Sequence, residues 1–423
     1  MTRKIYKRRI EDRIKKFIKR REIICIRGAR QVGKTTLLKM LEKMVKSDKA
    51  FINLDLVTHR RNLEENPIDF VERFKKPKRR LTLFLDEIQR VKDAGEKLKI
   101  IYDEFSDVKM FISGSSSLEI KTNVFPQLVG RLFVFDLFTF DFLEYISTKD
   151  DGLARILSKK QKSLKNFIEG NRNIKNVERP SFTDQFTKYL KEYLIFGGYP
   201  EVVKSNKYEE KEFILKNIYN LYLEKDIISF FRIEDTSKFE DVLRMLAFNT
   251  SNVISLSSIS SDIGINYKKS EEFLTILEHS YIIYKIRPFH KNMTTEIKKS
   301  PKIYFLDIGL RNSIIDNFSK FESRTDGGAL LENFVLRELI TNFHGWKINY
   351  WRTTGGAEID FILTKKDEVI PIEVKMSGNT LGKGFYSFLK RYKPKKGIIV
   401  TLDKFKKEKI EDTMIYWVPA YYI

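Results

Sequence analysis

The eight residues Gly28-Ala29-Arg30-Gln31-Val32-Gly33-Lys34-Thr35 constrain this chain more than any other stretch. They satisfy G-x-x-x-x-G-K-[ST] and lie between an apolar run, EIICIRG, and a segment from Thr35 to about Val45 with helical apolar spacing. A strand that turns at once into a helix through two glycines predicts a loop whose amides converge on an anion, with the positive end of the helix behind it. Phosphate fits that geometry. Gly28 to Gly33 would wrap it, Lys34 would reach the β- and γ-phosphates, Thr35 would bind Mg²⁺ through its hydroxyl, and Thr36 follows in the first helical turn.

A second motif answers the first. Residues 81–87, LTLFLDE, read as an apolar strand ending in Asp86 and Glu87. Asp86 can hold Mg²⁺ through water and Glu87 can polarise an attacking water, so the pair predicts hydrolysis of ATP. The apolar runs AFINLDL, VKMFISG and RLFVFDLF alternate with polar or helical stretches, the pattern of a parallel sheet covered on both faces. An α/β fold is expected.

The chain has 423 residues, of which 42% are hydrophobic and 13% aromatic, which excludes general disorder. That length suits about two to four domains. Cys25 is the one cysteine, so no internal disulfide framework exists, as suits a reducing cytoplasm. The basic N-terminus lacks an apolar signal core, and no apolar run approaches the ~18–20 residues of a membrane span. A soluble, cytoplasmic protein without a membrane partner is expected. Lys and Arg number 79 against 57 Asp and Glu, a net charge of +22. That excess suggests a nucleic-acid partner, although AT-rich coding also yields a chain rich in Lys, Ile, Phe, Tyr and Asn.

Residues 1–22 carry eleven basic and three acidic side chains, with Ile5, Ile10, Ile14 and Phe17 at roughly helical spacing; a short, packed basic helix is predicted. Residues 23–146 form the phosphate-binding core. From Ser147 to about Asp184 the pattern dissolves into Lys-, Asn- and Ser-rich sequence that reads as a connector, and helical periodicity then resumes as a lid up to residue 238. Residues 239–295 read as helices separated by a turn at Gly264, followed by the strand YIIYKIRPF, the pattern of a winged helix-turn-helix. Residues 296–423 return to α/β. His59, His279, His290 and His344 show no zinc-ligand spacing.

With both phosphate motifs in view, the chain resembles the AAA+ superfamily of ATPases. The likeness is to a prokaryotic, archaeal-type group in which the P-loop domain, with its helical lid, precedes a winged helix and a restriction-endonuclease-like α/β domain, and it extends over nearly the whole chain. It implies a polar sensor at the end of the fourth core strand, where Ser113 and Ser115 stand, Ser115 being the preferred residue for positioning water or the γ-phosphate. It implies also an arginine presented to nucleotide, matched by Arg131 after Gly130, acting within the subunit or across to a neighbour in a homo-oligomer. Gly197-Gly198-Tyr199-Pro200 resembles the turn into the helical lid.

A recognition helix needs polar or basic side chains toward the major groove. Asn266, Tyr267, Lys268 and Lys269 open the third helix of the winged region, and Lys285 and Arg287 lie on the strand beyond it, whereas Glu271 and Glu272 weaken the electrostatic case. The same module also serves in protein docking.

Downstream, Ala357-Glu358-Ile359-Asp360-Phe361 precedes Pro371-Ile372-Glu373-Val374-Lys375. Strand alternation puts Glu358 and Asp360 on one face, and Glu373 and Lys375 on one face of the next strand, so antiparallel pairing would converge them. Asp360 and Glu373, joined by Glu332 from the helix LLENFVLREL, could hold a second divalent ion, Mg²⁺ or Mn²⁺; Lys375 could lower the pKa of a nucleophilic water. Exposed, salt-bridged strands would read the same way. An Asp followed thirteen residues later by Glu-x-Lys resembles the PD-(D/E)xK nucleases, with Ile359 where the literal motif has proline. Ser377, Arg352 and Thr353 are candidates for holding phosphate.

These readings describe a Mg-ATP-dependent ATPase that binds and processes double-stranded or branched DNA, with a metal-dependent nuclease-like domain. The alternative is an ATP-driven DNA-binding switch, or a mobile-element or defence regulator, whose nuclease-like domain binds without cutting.

Overall fold

Strands β1 (Ile23–Arg27), β2 (Asp48–Asn53), β3 (Leu81–Asp86), β4 (Val108–Gly114) and β5 (Leu132–Asp136) pair in parallel in the order β2-β3-β4-β1-β5. The computed structural model describes residues 5–115, 124–170, 174, 182–228, 231, 233–290, 300–378 and 380–423. It divides into two units, Met1–Phe140 with His279–Ile282, and Asp141–Glu278 with Ile283–Ile423.

In the first unit every residue of β3 and all of β1 but Arg27 are buried, as strands covered on both faces must be. The helix Lys34–Met44 turns Leu37, Leu38 and Leu41 inward, and Ala94–Glu104 turns in Leu98 and Ile101. Strand β4 lies between β1 and β3, with Ser113 level with Ile26. The carboxyl ends of three neighbouring strands therefore gather the Gly28 loop, Ser113 and Asp86 at one edge. The basic N-terminal helix is shorter than its sequence predicts, one α-helical turn at Ile10–Ile14 continued by a 3₁₀ turn at Lys15–Phe17. Only part of its apolar stripe packs: Ile14 is buried and the Phe17 ring lies 4.8 Å from that of Phe133, while Ile5 is exposed.

The stretch read as a connector contains a 19-residue helix, Asp151–Glu169, capped by the Asp150 carboxylate, which accepts from the amides of Gly152 and Leu153. It buries Leu153, Leu157, Leu164, Phe167 and Ile168. Its solvent face is so rich in Lys and Ser that composition hides the helical period. The rest of the expected connector, residues 171–173 and 175–181, lies outside the described residues. Helices Thr183–Phe196 and Tyr208–Leu221 follow. At the turn after the first, a Cβ on Gly197 would meet Asp307 Oδ1 at 2.3 Å; Asp307 also accepts from the Gly198 amide and caps the helix Ile308–Ile314. The Gly-Gly turn is architectural.

Helices Thr236–Phe248, Leu256–Ile263 and Tyr267–His279 lead to β6 (Ile283–Pro288), which pairs antiparallel with β7 (Lys302–Phe305). Strand β6, read from sequence as a wing, also pairs in parallel with β8 (Lys347–Arg352). With β9 (Glu358–Lys365), β10 (Glu368–Lys375), β11 (Lys396–Thr401), β12 (Lys406–Ile410) and β13 (Thr413–Pro419) these build one mixed sheet, β12-β13-β11-β10-β9-β8-β6-β7. A boundary at residue 295 thus divides strands of a single sheet. Strands β9 and β10 run antiparallel with Phe361 opposite Ile372, the pairing the alternating acids required. Among the described residues no helix is long and apolar enough to cross a membrane.

Candidate functional site

In the first unit the strand-to-helix loop closes tightly. A Cβ on Gly28 would lie 2.0 Å from the Leu137 carbonyl oxygen, so no side chain fits there, and Gly33 takes φ +96° as it starts the helix. Lys34 is buried, its Nζ donating to the carbonyls of Gly28 at 2.9 Å and Ala29 at 2.8 Å. The ammonium rests on the loop it serves and must leave those carbonyls to reach a phosphate. Arg8, which sequence reasoning passed over as one of many N-terminal cations, braces the loop from outside. Its Nη1 donates to the Val32 carbonyl at 2.8 Å and its Nη2 to the Phe138 carbonyl at 2.7 Å, with the guanidinium over the Phe140 ring.

Thr35 Oγ1 donates to Asp86 Oδ2 at 2.7 Å. Ser113 Oγ donates to Asp86 Oδ1 and accepts from the Glu87 amide. These hydroxyls hold both oxygens of a buried carboxylate, and the Thr35–Asp86 pair is the oxygen donor set that Mg²⁺ bound to a nucleoside triphosphate takes. Glu87, in a left-handed backbone conformation at φ +61°, has its carboxylate fixed by Ser115 Oγ at 3.1 Å and by Gln89 Nε2, which also donates to Ser115 Oγ at 2.9 Å. Ser115, Gln89 and Glu87 form a closed polar triangle. Gln89 carries no motif; only its position two residues after Glu87 hints at a role.

Arg131 does not reach this site. It immediately precedes β5, whose first residue is level with Ile23 at the start of β1, so it stands at the opposite end of the parallel sheet from Gly28. There its Nε pairs with Asp103 at 3.1 Å and its guanidinium lies over the Tyr102 ring. Within the subunit the five strand residues Ile23–Arg27 separate its end of the sheet from the Gly28 loop.

In the second unit, the face of β9 meets a cation that the sequence reading did not count. Lys302 Nζ lies 2.5 Å from Glu358 Oε1, 3.1 Å from Glu332 Oε1 and 3.6 Å from Asp360 Oδ1, and its side chain is only 4% exposed. Tyr304, two residues along β7 on the same face, donates to Glu332 Oε1 at 2.6 Å, and the Val374 amide donates to Asp360 Oδ2 at 2.8 Å. Burial works against the Lys302 charge, but Glu332, Asp360 and Glu358 outweigh it and hold the ammonium above its ordinary pKa. Burial, with the neighbouring Asp360 charge, pushes Glu332 up to about 8 against the opposing pull of Lys302 and Tyr304. Burial raises Asp360 and Glu373 as well.

Glu373 stands apart from that ammonium. It pairs with Lys375 at 3.3 Å, and Lys375 also donates to the Thr380 carbonyl at 2.6 Å; Glu373 Oε2 is buried with no hydrogen-bond partner. Arg352 lies 3.8 Å from Glu358 and Thr353 caps its own turn by accepting from the Ala357 amide, while Ser377 is exposed. The expected second divalent centre on Glu332, Asp360 and Glu373 is not seen as a ligand cluster in this packing. Among the described residues no three His, Cys, Asp or Glu side chains converge as metal ligands, and the point that Glu332, Glu358 and Asp360 share is taken by an ammonium. The residues present do not fit a divalent ion there.

The expected base-reading set is partly committed elsewhere. Asn266 caps its helix by accepting from the Lys269 amide at 2.8 Å. Lys269 pairs with Glu272 at 3.2 Å and covers the Phe273 ring, and Lys285 pairs with Glu278 at 2.7 Å. Tyr267, Lys268 and Arg287 are exposed.

The strand order, the Gly28–Thr35 loop and the Asp86 and Glu87 pair define a P-loop ATPase domain. Residues 20–146 match the family model of the AAA domain. Residues 187–320 and 327–422 match two domains of unknown function, DUF8612 and DUF4143. The chain is 22% identical over 363 residues to an uncharacterised protein of Haemophilus influenzae, covering 82% of this chain and 81% of that one. It is 26% identical over 328 residues to an uncharacterised protein of Methanocaldococcus jannaschii, covering 75% and 66%. Among solved structures it aligns with the Thermotoga maritima RuvB Holliday junction branch migration motor at 11% identity over 65% of this chain and 88% of that one, with a TM-score of 0.27.

Proposed function

We propose that this chain is a Mg-ATP-dependent DNA-binding ATPase in which turnover at the Gly28 loop controls how the helices around Tyr267–His279 and the C-terminal sheet engage DNA. The single observation that carries the ATPase reading is the continuous set of hydrogen bonds from Thr35 through Asp86 and Ser113 to Glu87, closed by Ser115 and Gln89. Thr35 and Asp86 would hold Mg²⁺, which when bound neutralises charge on the β- and γ-phosphates. Lys34 would add its charge beside the loop amides. Glu87, fixed on two sides, is set to orient a water and accept its proton.

DNA as the partner draws support from the net charge of +22 and from exposed Tyr267, Lys268 and Arg287 on the three-helix and strand arrangement read as a winged helix. For the C-terminal domain the reading without cutting is favoured, because the Lys302 ammonium sits among the acids that a metal-dependent nuclease would need.

ATP turnover measured with and without duplex, single-stranded and branched DNA, using Lys34→Ala as the blank, tests the first part. Stimulation by DNA is expected; no stimulation together with no salt-sensitive binding overturns it. Plasmid and branched DNA incubated with Mg²⁺ or Mn²⁺ tests the second. Cleavage by the wild type that is lost in an Asp360→Ala/Lys375→Ala pair would restore the nuclease reading.

A further inference from the structure

The parallel sheet of the first unit carries a basic recess at its other end. At the amino ends of β3 and β4, opposite the Gly28 loop, the chain encloses a recess of about 730 Å³. Its lining brings together Lys19, Arg20, Arg21, Lys46, Arg80 and Lys109 from four separate stretches of sequence, and a single acid, Asp107. Asp107 is already held by Lys75 at 2.8 Å. The ends of two basic runs distant in sequence, Lys19 to Arg21 and Arg80, thus meet at one concavity.

The walls are built for an anion. Lys109 donates to the carbonyls of Arg20, at 2.8 Å, and Glu22. Burial pulls it down to about 8, with Glu22 opposing and Arg20 adding to the fall, so an arriving negative charge would relieve a crowded ammonium. On the floor, Ser47 Oγ and Thr82 Oγ1 lie 2.8 Å apart. Two hydroxyls sharing one hydrogen bond leave one proton to donate elsewhere. Lys19, Lys46 and Arg80 stand exposed at the mouth, where long cationic side chains can follow a backbone with charges at intervals.

We propose that this recess binds the phosphate backbone of DNA, at the end of the AAA domain remote from the nucleotide loop. It rests on the DNA-binding reading above and specifies where the first unit would hold the strand. Contacts of this kind position DNA without reading its sequence.

The test uses the full chain and a fluorescein-labelled 30-base-pair duplex, with binding followed by anisotropy across a KCl series. Lys19→Gln/Lys46→Gln/Arg80→Gln is expected to weaken binding about tenfold or more and to lower the salt slope by up to about 2.7, near 0.9 for each phosphate no longer neutralised. DNA-independent ATP turnover and the melting temperature are expected to stay at wild-type values, and Lys19→Arg/Lys46→Arg/Arg80→Lys to restore binding. Should the triple glutamine variant melt early, Arg80→Gln alone is expected to lower the slope by about 0.9. Equal affinity and equal slope in folded variants and wild type would overturn the recess while leaving DNA binding intact. Absence of salt-dependent duplex binding by the wild type would remove the DNA reading itself, and the recess with it.

Discussion

The Lys302 ammonium lies 3.1 Å from Glu332 Oε1, inside the C-terminal sheet, so the acidic cluster carries its own cation. Lys302→Met would leave Glu332, Glu358 and Asp360 facing one another, and removing one partner of a buried ion pair costs about 3–5 kcal/mol. The variant is expected to melt earlier, and Mn²⁺ is expected to raise its melting temperature while leaving the nucleotide-free wild type unchanged. Thermal unfolding in EDTA and in Mn²⁺ checks this. A Mn²⁺ response in the wild type that Asp360→Ala abolishes would show that Lys302 does not close the site.

Glu332 gives the cluster a pH signature. Its folded pKa of about 8 is above the unfolded value of 4.5, so the native state keeps a proton that the unfolded chain releases. Its contribution is fully present below the unfolded pKa and is lost as pH rises toward 8. Glu332→Gln should flatten the stability profile between those limits, as measured by urea unfolding at a series of pH values.

At the nucleotide loop, Glu87→Gln is expected to lower kcat by about 10²–10⁴-fold, the range for loss of a general base, while labelled ATP still binds. Gln89→Leu and Ser115→Ala, whose side chains hold Glu87, should lower kcat less and leave KM for ATP near its wild-type value. Single-turnover hydrolysis and filter binding separate the two effects.

Arg131 and Asp103 form a surface pair, and such pairs contribute at most about 1 kcal/mol to stability. Arg131→Ala should therefore leave ATP turnover unchanged at protein concentrations where the chain is monomeric. A large loss there would place Arg131 near nucleotide after all.

Arg8→Met should act on nucleotide affinity rather than on the chemical step. It removes the donor to the buried Val32 carbonyl, worth about 1–3 kcal/mol, and that to the part-buried Phe138 carbonyl. A raised KM for ATP with kcat nearly unchanged is the expected kinetic result.

The loop Gly28–Thr35, the Asp86 and Glu87 pair and the five apolar strands were legible in sequence because each depends on neighbours along the chain. Two glycines and a Lys-Thr at a strand-to-helix turn, a β-strand buried on both faces and an acid pair at a strand end all leave local patterns. Helix Asp151–Glu169 was legible in principle, yet its lysine-rich exposed face outweighed the six apolar residues it buries. Alternation gave the shared faces of Glu358 with Asp360 and of Glu373 with Lys375, and the antiparallel register of β9 and β10 brings those faces level.

What only the tertiary structure decided are the charges brought together from distant segments. Lys302 of β7 reaches Glu332 of the helix Gly327–Asn342 and Glu358 and Asp360 of β9 although β6 and β8 stand between β7 and β9 in the sheet order, and nothing in the sequence around Lys302 marks that approach. Arg131 follows a glycine as its motif requires, but parallel strand direction puts it at the wrong end of the sheet. Arg8 and the basic recess arise in the same way, from N-terminal and loop segments folded against the sheet. Local sequence specified which residues could hold phosphate or accept a proton; whether a carboxylate faces a metal or an ammonium depends on a few ångströms of packing that no spacing along the chain encodes.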